Sequence, residues 1–353
     1  MFKLSLELTN SCNMECKYCY LPHEEQFMNI EIAKKSICMA ISECKKQKFD
    51  SLSISYLGGE PLLCKTRIKF ITEYAEDICQ KENISIYFNI TTNGTFIDKD
   101  TICFFIKHNF SIRTSLDGCI IDNDKNRIMK NGSSAYNSLK HNLDLFKFYE
   151  EKSNKQVQLS MVINKNTYKN LYENFKHITE LGFKYIATCL ETYSKWNMDE
   201  LEEIELQFKK IALYCIEKAS KDEFVFWNIP YHGFNILNKK YKHFYCYAGK
   251  VSMYVKADGS IYSCSACQKE EFKIGSTQQG FNEDRRKQFI DYKRDISEKC
   301  KKCEYLDRCI NLDCIALKYE LTGDKTQVPF HYCQLTKIQS RLVNYINEKK
   351  CLV

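Results

Sequence analysis

Proline and glycine are scarce, at 4 and 12 of 353 residues. That excludes a collagen-like repeat, and no Pro/Gly/Ser-rich stretch supplies a flexible linker, so the parts of the chain are expected to pack together rather than hang on tethers. No run of 18 or more apolar residues occurs, which excludes a membrane-spanning helix. The start, Met1-Phe2-Lys3-Leu4-Ser5-Leu6-Glu7-Leu8, alternates polar and apolar residues and lacks a signal peptide's continuous apolar core, so a strand and a cytoplasmic location are expected. Charge of one sign is not concentrated either: 52 Lys+Arg against 45 Asp+Glu give a formal charge of +7. The basic runs at 240–243 and Arg285-Arg286-Lys287 are too short to track a nucleic acid, and no such partner is expected.

Cysteine is the residue in excess, with 20 copies. Disulfide scaffolds of that density are short secreted chains, so in a chain of this length the thiols point to metal. The rest of the composition is that of a globular protein, 44% apolar and 27% charged. β-like runs at Lys3–Thr9, Ser51–Leu57, Ile84–Thr91, Phe110–Leu116, Gln156–Ile163 and Phe183–Leu190 alternate with helical spacing such as Ile30, Ala33, Ile37 and Ile41. Six β units with crossover helices predict an α/β domain over 1–225, closed by a long helix at Met198–Ser220. Beyond it the sequence turns irregular and Tyr-rich, giving a bridging region at 226–245, a small cysteine-rich domain at 246–334 and a terminal helix from Leu335.

Cys12-Asn13-Met14-Glu15-Cys16-Lys17-Tyr18-Cys19 places three thiols within eight residues on the loop after the first strand. The C-terminal edge of parallel strands is where open α/β and barrel folds carry their chemistry. Three sulfurs can hold three corners of a 4Fe-4S cluster and leave one iron open; a three-thiolate zinc site is the alternative from spacing alone.

The chain here resembles the radical S-adenosylmethionine (SAM) enzymes, whose cluster loop is C-x3-C-x2-C with an aromatic before the last Cys, here Tyr18. Gly58-Gly59-Glu60-Pro61, Thr92-Asn93-Gly94-Thr95 and Ser115-Leu116-Asp117-Gly118 follow the second, third and fourth strands and match that family's pattern in order. The resemblance implies a partial (β/α)6 TIM-like barrel in which Gly58, Gly59, Glu60 and Pro61 meet the amino group of SAM, through Glu60 or neighbouring carbonyls. Two glycines would let backbone approach the methionine end closely. Asn93, Ser115 and Asp117 would contact the ribose or amino-acid end, and Tyr18 would pack near adenine. Arg127 would either pair with the SAM carboxylate or be an exposed solubilising residue. In this family the reduced cluster splits SAM to a 5′-deoxyadenosyl radical, which takes a hydrogen from the substrate.

A second set, Cys246, Cys264, Cys267, Cys300, Cys303, Cys309, Cys314 and Cys333, resembles the SPASM extension of these enzymes, which houses two auxiliary 4Fe-4S clusters, for three in all. By resemblance Cys300, Cys303, Cys309 and Cys333 hold the outer cluster, and Cys246, Cys264 and Cys314 the inner one. Cys267 is either its fourth ligand or free. The gap between Cys309 and Cys314 is four residues where the family has three. The other nine cysteines read as small apolar residues.

SPASM enzymes typically act on peptides or proteins. The expected function is maturation of a ribosomally made peptide by a thioether or other crosslink; the alternative is formylglycine formation in sulfatases. Sulfatase-maturing members carry an Asp after the Cys that matches Cys264, as general base, whereas this chain has Ser265. A non-catalytic iron–sulfur or zinc protein is the third class. Expected partners are the precursor peptide and a flavodoxin or ferredoxin electron donor; since the first strand starts by Lys3, a leader-binding module would be either a separate protein or unnecessary.

Overall fold

The structure, a computed structural model, describes all residues except 23, 238–247, 293–295, 307–308 and 351–353; Cys246 therefore lies outside the described residues. The chain alternates as the sequence predicts: β1 (Phe2–Glu7), α1 (Ile30–Gln47), β2 (Ser51–Leu57), α2 (Lys65–Lys81), β3 (Ser85–Thr91), α3 (Lys99–Lys107) and β4 (Ser111–Ser115). Short α4 (Ile120–Asp124) and α5 (Ala135–Lys140) precede α6 (Leu143–Ser153), β5 (Gln158–Ile163), α7 (Leu171–Glu180), β6 (Tyr185–Leu190) and α8 (Met198–Ser220). Then come β7 (Phe226–Trp227), α9 (Asn228–Leu237), β8 (Ser252–Val255), β9 (Ser260–Tyr262), β10 (Lys273–Ser276), β11 (Gly280–Phe281) and α10 (Glu283–Ile290). One-turn α11 (Glu298–Lys301), α12 (Ile315–Thr322) and α13 (Phe330–Lys350) complete it. The stretch after 225 is thus less irregular than its sequence suggests.

The residues fall into two compact units: 1–114 with 127–157 and 247–292, and 115–126 with 158–246 and 293–353. In the first, β1, β2, β3 and β4 are parallel neighbours. β8 returns to run parallel to β1 on its other side, and β9, β10 and β11 continue antiparallel. Sequence period alone hid β8, because its four residues SMYV are too few to show alternation.

Along β1 to β3 one face is apolar and the other is not. Leu4, Ile54 and Phe88 share a row, as do Leu6, Tyr56 and Ile90, all essentially buried. Tyr56 and Phe88 stack on Phe110 from the chain before β4, with ring centroids 5.8 and 5.1 Å away. Each such ring contributes about 1.5–3 kcal/mol by burial. α1 packs here with Ala33, Ile37, Ala40, Ile41 and Cys44; Asn29 caps its start and left-handed Lys48 ends it. The opposite face carries Ser5, Glu7, Ser53, Ser55, Asn89 and Thr91, and Asn89 donates to Ser53 Oγ at 2.9 Å. Parallel sheets are usually apolar on both faces; a polar face is the mark of a sheet that lines a site rather than a core.

In the second unit β5, β6 and β7 run parallel. α8 starts on a capping box between Asn197 and Glu200, and Glu205 on it pairs with Arg341 of α13.

Candidate active site

The cysteine loop leaves β1 and is stitched to its surroundings before any metal is considered. Gly59 N–H donates to Thr9 O at 2.8 Å and Glu60 N–H to Ser11 O at 2.9 Å. A Cβ on Gly59 would lie 2.2 Å from Ser11 O, and one on Gly58, whose φ is +146°, 2.4 Å from Thr9 O. Both glycines are therefore needed for close approach to the chain leading into Cys12. On the far side Glu15 N–H donates to Ile128 O and Lys130 N–H to Asn13 O, at 2.7 and 3.0 Å. Met14 packs with Met129 and Ala135, and Cys12 and Cys16 lie against that cluster.

Glu60 is fully buried. Its carboxylate accepts from Leu62 N at 2.9 Å, Thr92 Oγ1 at 2.7 Å and Asn93 N at 2.7 Å, which ties the end of β2 to the end of β3. Burial pushes this carboxyl up to about 7, against the pull of those three donors. The Glu60 side chain is thus committed to hydrogen bonds inside the protein. Pro61 is buried behind it at the start of a short turn of helix.

Asn93 stands against the loop. Its Nδ2 donates to Asn13 Oδ1 at 2.8 Å and reaches Cys12 Sγ at 3.9 Å, while its Oδ1 accepts from Thr95 N and Oγ1 at 3.0 and 2.7 Å. Asn13 Nδ2 in turn donates to Thr95 Oγ1 at 2.8 Å. Sequence reasoning missed Asn13 and Thr95, although both sit inside the motifs it used. Arg127 is 7% exposed, so it is not a solubilising residue; its guanidinium lies 5.5 Å from the ring centre of Tyr18, which is half-buried. Ser115 and Asp117 open the second unit, where Asp117 is buried and accepts from Val162 N at 3.0 Å. Gly118 is required beside it, since a Cβ there would lie 2.2 Å from the Asn174 side chain.

Cys12, Cys16 and Cys19 lie within electrostatic reach of one another, and Met14 N–H points at Cys12 Sγ at 3.4 Å. Burial pushes the Cys12 thiol up to about 11, so a thiolate there needs a cation. Cys264 and Cys267 belong to the first unit, the latter 1% exposed. Cys300, Cys303, Cys309, Cys314 and Cys333 belong to the second. There Cys333 feels the charges of Cys303 and Cys300, and Cys309 that of Cys333. Among the described residues no three His, Cys, Asp or Glu side chains are gathered tightly enough to grip an ion unaided.

A β1 loop bearing three coupled thiols, roofed by Gly-Gly-Glu-Pro and Asn93 at the ends of β2 and β3, is the arrangement of a radical SAM site. Residues 6–149 match the Radical SAM superfamily, so this part of the chain is a radical SAM domain. It is 24% identical over 327 residues to the cysteine-type anaerobic sulfatase-maturating enzyme of Clostridium novyi (strain NT), covering 85% of this chain and 84% of that protein. The solved structure of native anSMEcpe with bound AdoMet and Cp18Cys peptide has a TM-score of 0.79 at 21% identity, covering 98% of this chain and 99% of that one. Streptococcus suis SuiB bound to precursor peptide SuiA gives a TM-score of 0.61 at 15% identity, over 94% of this chain and 75% of SuiB. The fold is thus the α/β fold of radical SAM proteins with an auxiliary region. No helix among the described residues is long and apolar enough to cross a membrane.

The donor set fits the cofactor the family implies: three thiols on one loop, one pushed up by burial in the absence of a counter-charge, with a backbone N–H aimed at its sulfur.

Proposed function

We propose that this enzyme removes hydrogen from a residue of a ribosomally made peptide and closes a thioether or other crosslink there. Cys12, Cys16 and Cys19 hold the 4Fe-4S cluster, which when bound supplies the electron that splits SAM into its hydrogen-abstracting fragment. The backbone carbonyls of Gly58–Glu60 receive the SAM ammonium, with Asn93 and Arg127 facing the same loop and Tyr18 against the adenine. Ser115 and Asp117, at the C-terminal end of β4, serve the ribose or amino-acid end. Cys300, Cys303, Cys309 and Cys333 hold an outer auxiliary cluster, and Cys246, Cys264, Cys314 and Cys267 an inner one, within a domain spanning 246–334. A flavodoxin or ferredoxin delivers electrons, a separate protein grips the leader of the peptide, and the site of action is the cytoplasm.

The observation that carries the reading is the shared polar face of β1 to β3, which ends at the loop of three coupled thiols. Its likeness to proteins solved with peptides, SuiB with SuiA and anSMEcpe with Cp18Cys, supports a peptide substrate. A second reading, oxidation of a cysteine to formylglycine in a sulfatase, is favoured by the coverage of the Clostridium novyi relative; Ser265 in place of an acid speaks against it. Anaerobic assay with a small peptide encoded beside the gene, and in parallel with the Cp18Cys peptide, decides. Loss of two hydrogens with a new crosslink in the first peptide supports the proposal. An aldehyde in the second with the first untouched supports the alternative, and SAM cleavage with both unchanged overturns both.

A further inference from the structure

Several buried carboxylates among the described residues have each oxygen answered by donors. Glu43 meets Arg286, Glu205 meets Arg341, Asp122 meets Lys125, Asn170 and Asn174, and Glu60 has its three hydrogen bonds. Glu7 is 0% exposed, and among the described residues it is the carboxylate left with a buried oxygen, Oε1, that has no hydrogen-bond partner. Its other oxygen, Oε2, accepts from the hydroxyl of Tyr254, which is 3% exposed. A buried acid held in this state costs free energy, and such groups concentrate where protons are moved.

The position is as telling as the burial. Glu7 ends β1 on its polar face, five residues before Cys12. Tyr254 lies on β8, where Ser5 of β1 pairs with it, ten residues before Cys264. Gln268, next to Cys267 in the chain, donates to Tyr254 Oη at 3.4 Å. Tyr20, next to Cys19 and more than half exposed, lies within electrostatic reach of Glu7, Cys19 and Cys264. The acid–phenol pair therefore lies in the unit that carries both Cys19 and Cys264, with Tyr20 within electrostatic reach of Glu7 and both thiols; Ser265, beside Cys264 in the chain, cannot itself act as a base at neutral pH.

We propose that Glu7 and Tyr254 are the proton-accepting relay of this enzyme: Tyr254 Oη takes the proton that the peptide's thiol or amide releases, and hands its own proton to Glu7 Oε2. The proposal rests on the peptide reading above. In the balance of the step, a substrate C–H bond gives its hydrogen atom to the SAM-derived fragment, which becomes 5′-deoxyadenosine. The S–H or N–H bond gives its proton to the relay, one electron goes to an acceptor of the iron–sulfur class, and a new bond to carbon forms. Tyr254 is the catalytic residue; Glu7 acts through it. The charged and titratable groups facing the pair are Lys256 and Asp258 from the β8–β9 turn, Tyr262 of β9 and Tyr20.

The test uses Glu7→Gln, Glu7→Asp and Tyr254→Phe in the fully loaded enzyme with the small peptide encoded beside the gene, deuterated at the carbon that loses hydrogen, and in parallel with Cp18Cys peptide deuterated at the Cys β-carbon. Deuterium should still enter 5′-deoxyadenosine, with iron content unchanged, while peptide product falls about a hundredfold in Glu7→Gln and Tyr254→Phe and recovers in part in Glu7→Asp. The residual product rate in Glu7→Gln should climb with pH as solvent takes over the proton. Independently of turnover, infrared difference spectra of the SAM-free protein should show a neutral-carboxyl band that persists above the ordinary carboxylate range, is missing in Glu7→Gln and remains in Tyr254→Phe and in Glu60→Gln. An unchanged ratio of product to 5′-deoxyadenosine in Glu7→Gln, or product lost in step with iron, overturns the relay, as does absence of the band. Wild-type enzyme that cleaves SAM and leaves both peptides intact instead overturns the peptide reading and the relay's catalytic role together.

Discussion

The cysteine loop at 12–19 and the cysteines at 300–333 have contrasting surroundings. The first is pinned by backbone hydrogen bonds from Gly59, Glu60, Glu15 and Lys130, by the Asn13–Asn93–Thr95 network and by Met14 packed on Met129. The second is spread over more than thirty residues and held by local turns, such as Cys303 N–H to Cys300 O, and by Asn311, whose Nδ2 reaches Tyr332 O and Thr336 Oγ1 of α13. A pinned loop has its backbone held by the protein before metal arrives, whereas thiols scattered on short turns are drawn together by the metal itself, whose binding energy becomes folding energy. The pinned region is the one expected to do chemistry, because a reactive geometry must be held by the protein.

The largest expected effect separates the two sets outright. Replacing Cys12, Cys16 or Cys19 with Ala should abolish 5′-deoxyadenosine formation and remove about four irons per chain, read by iron analysis and chromatography. Cys300→Ala should remove a similar share of iron yet leave SAM cleavage within about threefold while lowering the melting temperature; equal loss of SAM cleavage would erase the contrast between the regions. Next in size is Glu60. Burial lifts its folded-state pKa from 4.5 to about 7, so the native protein holds a proton that the unfolded chain has already released. The stability attached to that proton is complete below the unfolded value and is lost as pH rises to about 7, about 3 kcal/mol in all. Denaturant midpoints across that range should show the fall in wild type and a smaller one in Glu60→Gln. Smallest is Arg341→Ala in the second unit. It breaks the pair with Glu205, half-exposed on the arginine side, and should cost about 1 kcal/mol or less with no change in SAM cleavage.

Much of this was legible in one dimension. The strands at Ser51–Leu57 and near Ile84–Thr91 announce themselves because one face is regularly apolar, and α8 because Asn197 and Glu200 box its start. The motif residues Cys12, Gly59, Glu60 and Asn93 were visible for the same reason that they matter, since each occupies a strand end whose geometry few residue types tolerate. What each does was less legible. Glu60 reads as a ligand and folds as a tie between strands; Arg127 reads equally as surface and folds as a buried cation over Tyr18. β8 was invisible, being four residues long and placed by pairing with β1 rather than by its own pattern.

The residues alone determined that three thiols follow a strand and that glycines and polar groups follow the next ones, because local spacing and backbone freedom are properties of adjacent positions. Tertiary structure alone decided that Glu7 and Tyr254, 247 positions apart, share a hydrogen bond out of reach of water. Burial and pairing across that distance are set by how strands assemble, and no local pattern encodes them.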